Sequence, residues 1–126
     1  MARQFKAEGE KPLIWAGSSK RDFLSFPEQV IYVMGVALGV AQKGGKHPNA
    51  KPWKGEGPGV FELVEDFNKN AFRAVYTVRF AKAVYVLHAF QKKSPSGIKT
   101  AHKDVEKIAQ RLIAAIQDYE DNYGKD

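Results

Sequence analysis

The sequence predicts one small domain that mixes strands and helices around a β-hairpin. Three observations lead there. Between Phe72 and Lys93, two runs rich in Val, Tyr, Phe and Thr alternate apolar and polar residues on either side of a break at Ala81-Lys82, as half-buried strands do. Near the C-terminus, Val105, Ile108, Ala109, Leu112, Ile116 and Tyr119 recur at helical spacing and form one apolar stripe. The chain has 126 residues, 44% of them hydrophobic and 12% aromatic, enough for one real core and short for two.

With the hairpin tip at Ala81-Lys82, Phe72, Ala74, Tyr76, Val78 and Phe80 share a face with Tyr85, Leu87 and Ala89, and that face is expected to be core. The opposite face then collects Arg73, Val75, Thr77, Arg79, Val84, Val86, His88, Phe90 and Lys92. Cations of one sign on one face are not buried without partners, so this face is expected to stay open and to meet an anion. The charge distribution agrees. Phe67 to Lys103 contains no Asp or Glu, and neither does Gln29 to Gly55, so the net charge of +6 is concentrated in the middle of the chain. Such a surface is the electrostatic footprint of a polyanion binder.

The remaining elements follow in order. Residues 1–12 are polar and read as a loose tail, and 121–126 as a second one. Leu13 to Ala16 is a short apolar strand ending at Gly17. Ser18 or Ser19 caps a short helix over Lys20 to Leu24. Pro27 and Glu28 open a second helix carrying Val30, Val33, Met34, Ala37, Leu38 and Ala41, which Gly44-Gly45 ends. Its β-branched residues with Gly35 and Gly39 leave a buried strand as the alternative; on a helix the small residues mark a close helix–helix or helix–sheet approach. Lys46 to Gly59, with three prolines and three glycines, is a long loop of the kind that carries function. Val60 to Val64 is a strand, Asn68-Lys69-Asn70 a turn, and Thr100 the N-cap of a last helix over about Ala101 to Tyr119.

Several chemistries are excluded. Without cysteine there is no disulfide framework and no thiolate zinc site. His47, His88 and His102 lack the spacing of metal motifs, and no nucleophile elbow, P-loop or dinucleotide fingerprint is present. The N-terminus has no signal-peptide core, and the longest apolar run, Val30 to Ala41, is well below the roughly 20 residues of a membrane span. A cytoplasmic protein without membrane contact, cofactor or metal is expected. What remains is chemistry that cations perform on a phosphodiester. RNA brings its own nucleophile, the 2′-hydroxyl, and cations placed at developing charge are usually the largest catalytic term. A histidine titrates near neutrality and suits proton transfer. Arg73, His88, Lys92 and Lys93, with Lys51 and Lys54 from the loop, are the candidates.

Gly59-Val60-Phe61-Glu62-Leu63, Phe72-Arg73-Ala74-Val75-Tyr76 and Tyr85-Val86-Leu87-His88-Ala89-Phe90-Gln91-Lys92-Lys93, in this order, resemble the RelE/ParE toxin superfamily and within it the HigB-like, phage-related branch. The resemblance spans roughly Leu13 to Leu112. It implies a small single-domain α+β fold over 13–120, an antiparallel sheet with helices packed on one face and a cleft on the other. It implies a toxin of a type II toxin–antitoxin system, a metal-independent endoribonuclease that cleaves mRNA in the ribosome and is neutralised by a helix-turn-helix antitoxin. By position, the arginine at the scissile phosphate falls on Arg73 and the basic pair after the last central strand on Lys92 and Lys93. His88 stands in this branch's motif, and Lys51, Lys54, Arg79 and Lys99 are the expected RNA-binding cations. Ser94-Pro95-Ser96-Gly97 departs from the best-known RelE pattern, which has a catalytic tyrosine there, so the general base stays unassigned. The alternatives are a non-catalytic inhibitor on the same fold, such as a gyrase poison, and an inactive prophage-derived remnant.

Overall fold

In the computed structural model, residues 1–3, 9–92 and 100–126 are described. Lys93 and Lys99 therefore lie outside the described residues. The chain order is β1 (Ala2–Arg3), β2 (Leu13–Trp15), α1 (Ser19–Leu24), α2 (Glu28–Gln42), β3 (Ala50–Pro52), β4 (Val60–Phe67), β5 (Asn70–Thr77), β6 (Val84–Lys92) and α3 (His102–Tyr123). The strands form one sheet in the order β1-β2-β6-β5-β4-β3, an α+β domain as expected.

Local signals place most of these elements. Pro27, whose ring fixes φ, is the N-cap of α2. Asn68 and Lys69 both take positive φ (50° and 66°) and join β4 to β5 by the two-residue turn that matches strand twist. Thr100 does not cap α3, whose N-cap is Ala101; its hydroxyl accepts instead from Arg73 Nη1 at 3.1 Å. The 46–59 loop contains β3, in which Lys51 pairs with Glu62. The N-terminal segment is not all loose tail, because Ala2–Arg3 pairs with β2. At the other end α3 runs on to Tyr123, and Asp126 accepts from Tyr119 Oη at 2.6 Å and from Ala81 N–H at 2.9 Å. No helix among the described residues is long and apolar enough to cross a membrane.

Three expectations are corrected by the sheet. It is mixed, because β2 runs parallel to β6 (Ile14 opposite Tyr85). Its helices lie on both faces. Leu13 and Trp15 join Phe72, Ala74 and Tyr76 in a core under α1 and α2, while the intervening Ile14 joins Val75, Tyr85 and Leu87 in a second core under α3. The face expected to be open is thus covered by Ile108, Leu112, Ala115 and Tyr119. A strand buried on both sides reads as a continuous apolar run, and Val84-Tyr85-Val86-Leu87 is such a run.

The hairpin partners also differ from expectation. Ala74 opposes Ala89 and Val75 opposes His88, but Tyr76 opposes Val86, so Leu87 is an extra residue. A bulge of this kind reverses the alternation beyond it. Val84 and Val86 therefore lie with Tyr76, and Tyr85 and Leu87 with Val75. The connection is the longer 78–83 rather than a tip at Ala81-Lys82, because Phe80 turns into the α3 side and stacks on Tyr119 with ring centroids 4.4 Å apart. Gly35 and Gly39 face open space rather than a neighbour.

Candidate functional site

Arg73 is on the α3 side of β5, directly opposite Phe90 of β6 and diagonal to Glu62 of β4. Beyond the N-terminal end of α3 the described residues do not fully cover that face. There a cleft of about 450 Å³ is lined by Trp53, Lys54, Glu62, Arg73, Thr100 and Val105. Arg73 Nη1 donates to Thr100 Oγ1 and stands 3.4 Å from Glu62 Oε2, a long ion pair whose side chains are 15% and 17% exposed. Its Nε is buried and has no hydrogen-bond partner among the described residues. Arg73 was expected on an open face; it is at the floor of a cleft, held by a carboxylate. A neighbouring hollow of about 380 Å³ shares Thr100 and is lined by Phe90, Lys92, Lys103 and Asp104.

The structure brings some of the candidate residues together and separates others. Arg73 and Lys54 line the first cleft and Lys92 the second. Lys51 is exposed on edge strand β3, its register partner Glu62 standing between it and β5. Arg79 is not part of this site. It lies past the far end of β5, six residues and roughly 20 Å from Arg73 along an extended chain, and lines a different hollow with Phe80, Tyr119 and Asp126. Lys93 and Lys99 fall outside the described residues.

His88 is corrected from open-face residue to buried one, 3% exposed. Arg111 Nη1 lies 3.2 Å from Nδ1, and because a guanidinium only donates, Nδ1 must accept. The ring proton is therefore on Nε2, which donates to Asp104 Oδ1 at 2.8 Å. Burial, reinforced by the Arg111 charge and opposed by Asp104, holds the imidazole pKa below its ordinary 6.5. With both nitrogens occupied, the ring positions its neighbours. Phe90 stacks on it, centroids 4.6 Å apart and planes within 18°.

This arrangement carries a stability signature. In the unfolded chain His88 takes a proton as pH falls through about 6.5; in the folded chain it does so only at lower pH. The unfolded state thus binds more protons in that window, and stability falls with acidification below about 6.5 until the folded pKa is reached. Asp126, held low chiefly by the Tyr119 hydroxyl, acts separately at pH 3.8 and below. Urea midpoints measured across the acidic range are expected to show the first decline in the native protein and to lose it in His88→Gln. An unchanged slope in the variant would exclude the buried neutral imidazole.

Glu62, Trp53, Thr100, Asp104 and Arg111 were not legible as site residues. Glu62 is eleven positions before Arg73, and only the β4–β5 register, set by the Asn68-Lys69 turn, brings the two together.

A family model described as phage derived protein Gp49-like (DUF891) matches residues 21–113. The match runs from within α1 to within α3 and includes Trp53, Glu62, Arg73, Phe90 and Arg111. No curated protein matches the chain, and no solved structure does.

Proposed function

The chain belongs to the family of phage-derived Gp49-like proteins, RelE/toxin-like proteins of toxin–antitoxin systems, and on that premise we propose that it is a HigB-like endoribonuclease toxin acting on translated mRNA in the cytoplasm. What carries this reading is the Arg73–Glu62 pair, a cation and a carboxylate held 3.4 Å apart at the floor of an open cleft. The pair supplies two of the three functions that 2′-hydroxyl attack requires. Glu62 Oε2 takes the 2′-hydroxyl proton as the oxygen bonds to phosphorus. Arg73, whose Nε has no partner among the described residues, stabilises the added charge on the phosphorane. As the P–O5′ bond breaks, an ammonium group gives the 5′-oxygen its proton, and Lys92, in the neighbouring hollow that shares Thr100 with the cleft, is the candidate. The products are a 2′,3′-cyclic phosphate and a 5′-hydroxyl. Lys51 and Lys54 hold flanking phosphates without reading sequence. His88 stays outside the proton path, as the support under Phe90. Neutralisation by a helix-turn-helix antitoxin and completion of the substrate geometry by the ribosome belong to the same reading.

Induced expression with mapping of mRNA 5′ ends tests it. Wild type is expected to arrest growth and to create new 5′-hydroxyl ends. Glu62→Gln keeps a hydrogen-bond acceptor for Arg73 but cannot take a proton, and is expected to lose those ends by about 10²-fold or more. Unchanged ends in Glu62→Gln would remove Glu62 as the base. Arrest by wild type without new ends would overturn the nuclease in favour of a non-catalytic inhibitor, and no arrest would favour an inactive remnant.

A further inference from the structure

We infer that Trp53 and Phe90 are base-stacking platforms on either side of Arg73, so that the cleft takes an unpaired dinucleotide step with its phosphate at Arg73 and its two bases turned apart. This rests on the ribonuclease reading above and adds to it a substrate class: single strands whose bases are free to leave their own stack.

The chain has two tryptophans, and they are placed oppositely. Trp15 is 3% exposed within the core under α1 and α2. Trp53 is only partly buried, packed at the margin of the other core, and forms a wall of the cleft that holds Arg73 and Lys54. Its backbone N–H donates to Val60 O at 2.9 Å, which ties it to β4 just beyond the end of β3. Phe90 is on the other side of Arg73, opposite it in register and therefore about 5 Å away between Cα atoms. It too is only partly buried, and it faces the second hollow beside Lys92 and Lys103. Of the other aromatics of that core, Phe80, Tyr85 and Tyr119 are buried against one another, and Tyr123, partly buried, stacks on Tyr119 at the other end of α3, away from Arg73.

A ring left partly open beside ammonium and guanidinium groups suits nucleobases flanking a phosphate, which offer an apolar face on each side of an anion. Phe90 is also preorganised. One side of its ring rests on His88, which Asp104 and Arg111 hold from opposite nitrogens. A base added to that stack meets a plane already fixed, so little side-chain freedom is lost on binding. In a duplex the base faces are covered by their neighbours, and these two platforms stay unused.

Titration with a short 2′-deoxy single strand, which lacks the nucleophile and cannot be cut, tests the inference. Tryptophan fluorescence is expected to be quenched, with Trp15 contributing a constant background, and the quenching to vanish in Trp53→Leu. Trp53→Leu and Phe90→Leu are each expected to weaken binding by about 5- to 100-fold. The dependence of affinity on salt should be unchanged in both, because stacking releases no counterions. The same backbone with abasic positions should bind wild type as weakly as it binds the variants. Equal affinity of wild type and folded Trp53→Leu, or equal binding of a duplex and a single strand, would overturn the proposal. Because Phe90 is partly core, circular dichroism and Tm accompany its variant, and Trp53→Leu decides if Phe90→Leu unfolds. The nuclease reading fails separately: base-dependent quenching without mRNA cleavage would leave the platforms standing on a cleft that binds but does not cut.

Discussion

Replacing Arg73 with alanine is expected to abolish mRNA cleavage while leaving a folded protein. The guanidinium stands at the cleft floor with, among the described residues, only Glu62 and Thr100 as side-chain partners. Losing one donor aimed at developing charge typically costs 10²- to 10³-fold in rate, and a full guanidinium supplies more than one. The cost to folding is far smaller. Glu62 is 17% exposed and keeps access to water, so its lost bond is worth about 1 kcal/mol. Arg73→Lys separates charge from geometry. It keeps the cation but not the planar fork, and is expected to recover a fraction of the activity. The readout is the number of new 5′-hydroxyl mRNA ends per folded molecule, with folding followed by circular dichroism. Wild-type cleavage by a folded Arg73→Ala would take Arg73 out of the mechanism.

The largest expected loss of stability comes from Arg111→Met. Arg111 donates to Leu87 O at 3.0 Å, His88 Nδ1 at 3.2 Å and Ser18 Oγ at 3.0 Å, and Ser18 in turn donates to Asp22 at 2.7 Å. One side chain of α3 thereby ties the bulge of β6 to the start of α1. Gly17 is part of the fit: with φ +51°, a Cβ there would come within 2.9 Å of the guanidinium. Methionine keeps the length and the apolar stem but leaves the Leu87 carbonyl and the His88 nitrogen without a donor. At about 1–3 kcal/mol for each of the two buried groups so orphaned, the loss should be roughly 2–6 kcal/mol. That is a large part of the 5–15 kcal/mol typical of a whole domain. Urea unfolding is expected to show a lower midpoint with unchanged m. A shift below about 0.5 kcal/mol would show that Arg111 does not bind the three elements together. The network also holds His88, on which Phe90 stacks, so the variant should weaken binding of single strands through that ring.

What was legible in the sequence was what neighbours along the chain decide. The Leu13–Trp15 strand, the start of α2 at Pro27, the turn at Asn68-Lys69 and the inward stripe of α3 all follow from two- to four-residue periodicities and from φ preferences. The excess of cations in the middle of the chain, and with it the choice of Arg73, Lys54 and Lys92, needed no structure. Two rules failed where distant segments intervened. Strict alternation along β6 broke at the extra residue Leu87, which nothing local announces except an apolar run too long for a half-buried strand. The assumption that a face carrying Arg73, His88 and Lys92 must stay open failed because Asp104 and Arg111, on a helix 16 and 23 positions after His88, supply the imidazole with its partners.

By itself, then, the sequence determined most of the inventory: the main strands and helices, though not β1 or β3, that they suffice for one domain, and that its middle carries the positive charge. The tertiary structure alone decided which of those charges meet. It set Glu62 against Arg73, carried Arg79 to the far end of the sheet, buried His88 and left Trp53 and Phe90 partly open. The reason is physical. Propensity and periodicity act over a few residues, whereas the environment of a side chain is set by strand register and helix docking, which depend on the burial of apolar surface between segments far apart in the chain.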